Sequence, residues 1–332
     1  MKRCGVLMLV TRTPVRVSFC GGGTDLPAFY KANNSGGMVT SLAIQAYIYV
    51  TVNKRFDESI RVSYSKTEIV DDFEDLQHEL VREAMRITGV TSGVEITTIA
   101  DIPGKGTGLG SSSSVTVGLL HALHIYAGRV VTSEQLAREA CEIEINVLNQ
   151  TIGKQDQYAA AYGGLNKISF YPDESVKIEE IWSEEIEEMK ENFCLVWTGM
   201  TRKATAILEQ QSRKTEEKLD SLMQMRIQAL EVAVMLECGD WGSVGMMLGD
   251  AWELKRGLVE GITNKEIDLL YEKLLDLGCT GGKLLGAGGG GFILVQTPPG
   301  VQEKIRTELT NKVISLVADC DGSILLLDDR DV

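Results

Sequence analysis

The sequence contains no Cys-x-x-Cys pair among its seven cysteines and no metal-ligand spacing. An odd set of scattered thiols excludes a disulfide scaffold and predicts reduced cysteines in a cytoplasmic protein. Long hydrophobic runs are missing too. The apolar stretch Cys4–Val10 follows Lys2-Arg3 and meets Arg12 and Arg16 at once, so it reads as a strand entry, not a signal peptide or a membrane span. Basic residues are in the minority, with 33 Lys and Arg against 47 Asp and Glu, and the net charge of −14 excludes nucleic acid and anionic membranes as natural partners. No internal repeat is visible. An acidic protein that binds phosphate must do so locally, with backbone amides, a metal ion and a few placed Arg or Lys.

What remains is the composition of an ordinary globular protein, 44% hydrophobic and 24% charged, with 332 residues predicting two domains. Val6–Phe19 and Met38–Phe56 alternate and are rich in Val, Ile and Tyr, so they read as strands around Gly21-Gly22-Gly23. Asp72–Gly89 has helical spacing, Val94–Ile102 is a strand, and Val115–Ala127 is an apolar helix stopped by Gly128. Thr132-Ser133-Glu134-Gln135 opens a helix to about Asn149, and a short one runs over Gln155–Tyr162. The domain boundary is expected at Gly163-Gly164, giving domains 1–164 and 165–332. The acidic run Asp173–Glu191 reads as a solvated face. Beyond it come helices over Thr201–Glu237, Trp241–Val259 and Asn264–Leu277, then strand Phe292–Gln296, helix Gln302–Asn311 and strand Ser323–Leu327. Strands and helices are intermixed without strict alternation, which predicts an α+β fold.

The densest chemistry lies in Ile102-Pro103-Gly104-Lys105-Gly106-Thr107-Gly108-Leu109-Gly110-Ser111-Ser112-Ser113-Ser114. Alternate glycines uncover backbone N–H groups, and the serines lead into a helix whose positive dipole end completes an anion site. It is not a Walker A loop, because each Gly-Lys pair lacks the following Ser or Thr. Two other segments share its character: Arg12 to Asp25, through Gly21, Gly22, Gly23 and Thr24, and Lys283 to Phe292. The latter spells Gly-x-Gly-x-x-Gly (Gly286, Gly288, Gly291), but it precedes a strand instead of opening a helix, which argues against a dinucleotide fingerprint.

In this order and spacing the three segments resemble the signature motifs of the GHMP small-molecule kinases. The resemblance implies a two-domain fold, with a ribosomal-protein-S5-like N-terminal domain, a ferredoxin-like C-terminal domain and a site in the cleft between them. It implies ATP and Mg²⁺ as cofactors and a small sugar or sugar phosphate as substrate; a homo-oligomer is left open. Phe19-Cys20-Gly21-Gly22-Gly23-Thr24-Asp25-Leu26-Pro27 and Gly153-Lys154-Gln155-Asp156-Gln157-Tyr158 resemble the branch acting on D-glycero-D-manno-heptose 7-phosphate, at its anomeric hydroxyl. Other sugars of the fucokinase or galactokinase type, a silent sugar or nucleotide sensor, and a decarboxylase of the mevalonate branch are the rival readings.

By that resemblance the ATP phosphates fall to Gly104, Gly106, Gly108, Leu109, Gly110, Ser111, Ser112 and Ser113, with Ser112 also a metal ligand and Ser111 a helix cap. Glu142 and Glu144 compete as the second metal ligand. Glu142 sits on a polar face four residues after Arg138, whereas Glu144 shares a stripe with Ala140, Val147 and Leu148, where a carboxylate needs a partner. Glu144 is therefore the choice. Asp156 matches the catalytic aspartate, its alternative being a helix cap. Arg16 matches the arginine facing that aspartate, since a guanidinium favours an ionised base. Substrate contacts are assigned to Arg16, Gly22, Gly23, Thr24, Asp25, Arg202, Lys283, Gly288 and Gly289. Gly22 and Gly23 stand where galactokinases carry Glu-His, which favours a bulkier or differently oriented sugar. Arg202 is the candidate for a second substrate phosphate. Lys283 is a phosphate or domain-closure contact, with a surface lysine as the alternative. His121 and His124, one turn apart, are expected at the core flank.

Overall fold

In a computed structural model the chain is described over residues 8–103, 106–201 and 205–329. Strand β1 (Met8–Cys20) is followed by the one-turn helix α1 (Pro27–Tyr30), then β2 (Gly37–Lys54), β3 (Ile60–Ser63) and β4 (Thr67–Val70). Helix α2 (Glu79–Thr88), β5 (Val94–Ala100), α3 (Ser111–Tyr126), α4 (Ser133–Cys141) and α5 (Gln155–Tyr162) come next. Strands β6 (Leu165–Phe170) and β7 (Val176–Glu180) precede α6 (Met189–Asn192) and β8 (Phe193–Trp197). Helices α7 (Thr205–Arg213), α8 (Leu219–Glu237), α9 (Trp241–Arg256) and α10 (Lys265–Asp276) then lead to β9 (Gly281–Leu284) and β10 (Phe292–Gln296). The chain closes with α11 (Val301–Glu308), β11 (Val313–Ser315) and β12 (Ile324–Asp328).

Two sheets organise these elements. The first has eight strands in the path β12-β1-β2-β5-β3-β4, with β6 and β7 branching from β2. The second is antiparallel in the order β11-β8-β10-β9, which in chain order is fourth, first, third, second. That order is the ferredoxin-like arrangement expected for the C-terminal half. The division at 164 does not follow the sheets: β6, β7 and β12 lie beyond it in sequence and belong to the first sheet. Residues 37–42 of β2 extend past β5 and pair with β6, so the sheet needs strands from after the Gly163-Gly164 turn.

Strand β1 carries the site, and its burial pattern shows how. Half-buried and buried residues alternate from Met8 to Thr13, then burial is continuous to Cys20. Alternation marks a sheet with one solvated face; continuous burial marks one covered on both. Helices α3 and α5 pack on β1 from within the first half, and α8 and α9 reach it from the second. The register with β2 slips between Pro14 and Val15, where proline has no N–H for the ladder. Past that irregularity, Arg16 sits opposite Ala43.

Three helix expectations are corrected. The serine run is not a prelude to α3 but its first turn, because the helix begins at Ser111. The helix expected to reach Asn149 is α-helical only to Cys141 and continues as a π-helical turn over Glu142–Val147, closed by Leu148 N donating to Ile143 O at 2.9 Å. Thr201–Glu237 is two helices, broken where the Thr215 hydroxyl donates back to Gln211 O at 3.1 Å and competes with the helical ladder. No described helix is long and apolar enough to cross a membrane.

Both helix histidines flank the core as expected. His124 is buried and bonds Glu139 at 2.6 Å, while His121 Nδ1 meets Ser323 Oγ at 2.9 Å, tying α3 to the loop before β12. No cluster of three or more His, Cys, Asp or Glu placed to hold a metal occurs among the described residues. Burial, with the His124 charge second, lowers the His121 pKa to about 4. A depressed histidine contributes stability that is whole above its unfolded value near 6.5 and is lost as pH falls toward 4. Thermal midpoints measured from pH 7 to 4.5 should therefore fall more steeply for the wild type than for His121→Gln; parallel curves would remove His121 from the acid response.

Candidate active site

Three glycine-rich segments, far apart in sequence, meet at the end of β1. The 106–110 turn has Gly106, Gly108 and Gly110 all at positive φ, and Gly110 forms the N-cap of α3 without any side-chain cap. Ser111, expected to cap, instead has its hydroxyl 3.1 Å from Thr107 Oγ1. The first-turn amides of a sixteen-residue helix are thus left for an anion, reinforced by its dipole. Leu109 contributes backbone only: its side chain is buried, its N–H donates to Thr107 Oγ1, and its carbonyl accepts from Arg16 N at 3.0 Å.

The third segment presses main chain onto this turn. A Cβ at Gly108 would stand 2.5 Å from Leu285 O, and one at Gly286 would stand 2.4 Å from Gly108 Cα. Phe292 N donates to Thr107 O at 3.1 Å, and Gly289 N to Ile262 O at 2.8 Å. Gly288 is likewise packed on Ile262, so both residues shape the loop. Only glycine permits backbones this close.

Arg16 joins the turn to Asp156. Its Nη1 donates to Gly108 O at 2.6 Å, while Nε and Nη2 reach Asp156 Oδ1 at 2.8 and 2.7 Å. Both bonds fall on Oδ1, so Oδ2 is clear of the guanidinium and lies 3.1 Å from where a Gly110 Cβ would be. Asp156 does not cap α5: Lys154 holds the cap position, and the Asp156 carboxylate points to the α3 terminus. Asp25 is buried beside it, accepting from Gly23 N at 2.9 Å and Gln155 N at 3.4 Å. Burial, then the Asp156 charge, raises the Asp25 pKa. Thr24 is corrected as a substrate contact. Fully buried, its hydroxyl donates to Gly21 O and Met38 O and accepts from Met38 N, which pins the turn.

Ser112 and Glu144 come together as expected, the Ser112 hydroxyl donating to Glu144 Oε1 at 3.3 Å. Glu144 is fully buried on the π-helical turn, with Gln157 Nε2 donating to its other oxygen at 2.7 Å. Burial pushes its carboxyl up to about 7, against the hydrogen bonds from Ser113 and Gln157. Its rival Glu142 is exposed and accepts from Asn146 Nδ2. An all-oxygen pair with a buried carboxylate fits a hard divalent cation that shares its remaining positions with phosphates and water.

Lys283 is not a surface residue. Buried, it donates to Ser18 O at 3.0 Å and Phe19 O at 2.9 Å, closing the second sheet onto β1. Of its expected roles, the geometry carries closure. Burial lowers its pKa to about 8. Lys255 was missed, because one lysine in an amphipathic helix gives no signal. Its Nζ donates to Leu284 O at 3.1 Å and to Gly286 O, and burial holds its pKa well below an ordinary lysine's. Gly104 and Arg202 lie outside the described residues. A surface groove between α8 and α9 shares no residue with this constellation. Lys283→Met should leave two buried carbonyls unpartnered and lower unfolding stability by roughly 1–3 kcal/mol; an unchanged urea midpoint would show that the contact holds nothing.

Residues 76–164 match the GHMP kinases N terminal domain and residues 227–315 the GHMP kinases C terminal domain. The chain is 30% identical, over 87% of its length and 89% of the relative's, to D-glycero-alpha-D-manno-heptose 7-phosphate kinase of Campylobacter jejuni. It is 27% identical to L-fucokinase/L-fucose-1-P guanylyltransferase of Bacteroides fragilis, over 90% of the chain and 36% of that protein. The crystal structure of a D-glycero-D-manno-heptose 1-phosphate kinase from Bacteroides thetaiotaomicron superposes with a TM-score of 0.80, at 23% identity, over 96% of this chain and 99% of that one.

Proposed function

Since the chain belongs to the GHMP kinases, we propose that it transfers the γ-phosphoryl group of ATP to the anomeric hydroxyl of D-glycero-D-manno-heptose 7-phosphate. That it is an ATP-dependent sugar kinase follows from the family and its relatives; the heptose and the position are the proposal. The 1,7-bisphosphate would serve nucleotide-activated heptose and surface polysaccharide, from a cytoplasmic enzyme. The observation that carries the chemistry is the Asp156 carboxylate, held by Arg16 against the free N-terminus of α3.

The residues divide the work. The amides at 106–113 and the α3 dipole hold the triphosphate. Asp156 Oδ2, clear of the guanidinium, accepts the proton of the attacking hydroxyl as its oxygen bonds phosphorus and the bond to the leaving diphosphate breaks. Arg16 keeps its charge on the same carboxylate and on the Gly108 carbonyl, so base and loop keep one geometry. Ser112 and Glu144 would hold Mg²⁺, which supplies neutralising charge to the phosphate oxygens. Asp25 orders the glycine turn against the start of α5 beside the acceptor. Arg202 is proposed to take the distal phosphate of the sugar.

Two variants test this reading. Asp156→Asn should lower kcat by about two to four powers of ten while ATP still binds, and near-native turnover by that variant would refute the base. Glu144→Gln should raise the Mg²⁺ concentration needed for half-maximal rate by about tenfold or more; an unaltered magnesium titration would move the ion elsewhere.

A further inference from the structure

Gly21, Gly22 and Gly23 are consecutive, but the backbone requires only two of them to be glycine. Gly21 and Gly23 have φ of +88° and +101°, and a Cβ would stand 2.0 Å from Met38 O at the first and 2.1 Å from Gln211 Nε2 at the second. Gly22 is outside the left-handed region. A Cβ there would meet nothing nearer than Ser18 Oγ at 3.6 Å and Gln155 Nε2 at 4.0 Å, both ordinary contacts. Alanine would therefore fit at 22 without strain, and the missing side chain leaves a notch.

The walls of that notch lack partners. Ser18 is 4% exposed, and among the described residues its Oγ has no hydrogen-bond partner; neither does the buried Oε1 of Gln155, whose amide nitrogen is the atom nearer Gly22. Buried polar atoms are almost always paired, so two orphans beside one gap mark a group that binds there. The notch adjoins the reaction centre, because Gln155 N donates to Asp25 and the next residue is Asp156.

We propose that this notch receives a second hydroxyl of the acceptor sugar, one not phosphorylated, which Ser18 and Gln155 hydrogen-bond and for which Gly22 leaves room. This rests on the sugar-kinase reading above. The chemistry selects a hydroxyl. The Gln155 amide offers a donor and an acceptor, and Ser18 offers both, so a hydroxyl satisfies them in either amide orientation. A phosphate dianion brings acceptors alone and would face the Asp25 and Asp156 carboxylates. An apolar group would leave both orphans buried and unpaired. Ser18 and Gln155 are thereby specificity-determining contacts.

Steady-state kinetics with the full chain, a sugar that the wild type phosphorylates and that sugar's monodeoxy analogues test the inference. The wild type should discriminate against one analogue by about ten- to hundredfold in kcat/KM. Gly22→Ala should raise KM for the parent sugar by a similar factor, with ATP affinity and thermal midpoint unchanged. In Ser18→Ala/Gln155→Met the parent sugar and that one analogue should become equivalent within about twofold, the coupling a merely structural role would not produce. Equal treatment of all analogues by the wild type, or an unmoved sugar KM in Gly22→Ala, would show that the notch holds water only and overturn the inference. Failure of the wild type to phosphorylate any sugar is a different result, and it would overturn the sugar-kinase reading on which the inference stands.

Discussion

The Arg16 guanidinium binds a carbonyl of the phosphate turn with one nitrogen and the Asp156 carboxylate with two others. The glycine turn and the Asp156 carboxylate are thereby held to one planar group. Its fork geometry fixes direction as well as distance, which a lysine ammonium would not do. With the Arg16 side chain only 4% exposed, the pair works where charges interact more strongly than in water. The arginine can lie there because β1 is covered on both faces just past the irregularity at Pro14.

Around this group the molecule gathers basic side chains that its composition holds in the minority. Arg16, Lys255 and Lys283 are buried near one another in a chain of net charge −14. The two lysines bond main-chain carbonyls and no described carboxylate, and burial draws both below the ordinary lysine range. Lys283 closes the second half of the chain onto β1, while Lys255 ties α9 to the end of β9 and the turn after it.

Much of this was legible in order and spacing. The glycines and serines at 106–113 announced an anion site because backbone exposure and a helix start are local properties. Glu144 was distinguishable from Glu142 by the apolar stripe, and the structure places it buried beside Ser112. Thr24 was misplaced because a threonine in a turn reads alike whether its hydroxyl faces a ligand or pins the backbone. Lys255 and the orphaned Ser18 and Gln155 gave no sign, since an unsatisfied atom is defined by what surrounds it.

The amino-acid sequence by itself determined most of the elements and the glycine-serine turn that opens α3, because propensity, periodicity and glycine placement act within a few residues. Its motifs, through a family resemblance, pointed to the candidate base and metal side chains. The tertiary structure alone decided which strands after Gly164 return to the first sheet, that Asp156 points to the α3 terminus, and that Lys283 faces β1. Those are contacts between residues distant in the chain, and nothing in its local chemistry encodes which distant carbonyl its lysine will meet.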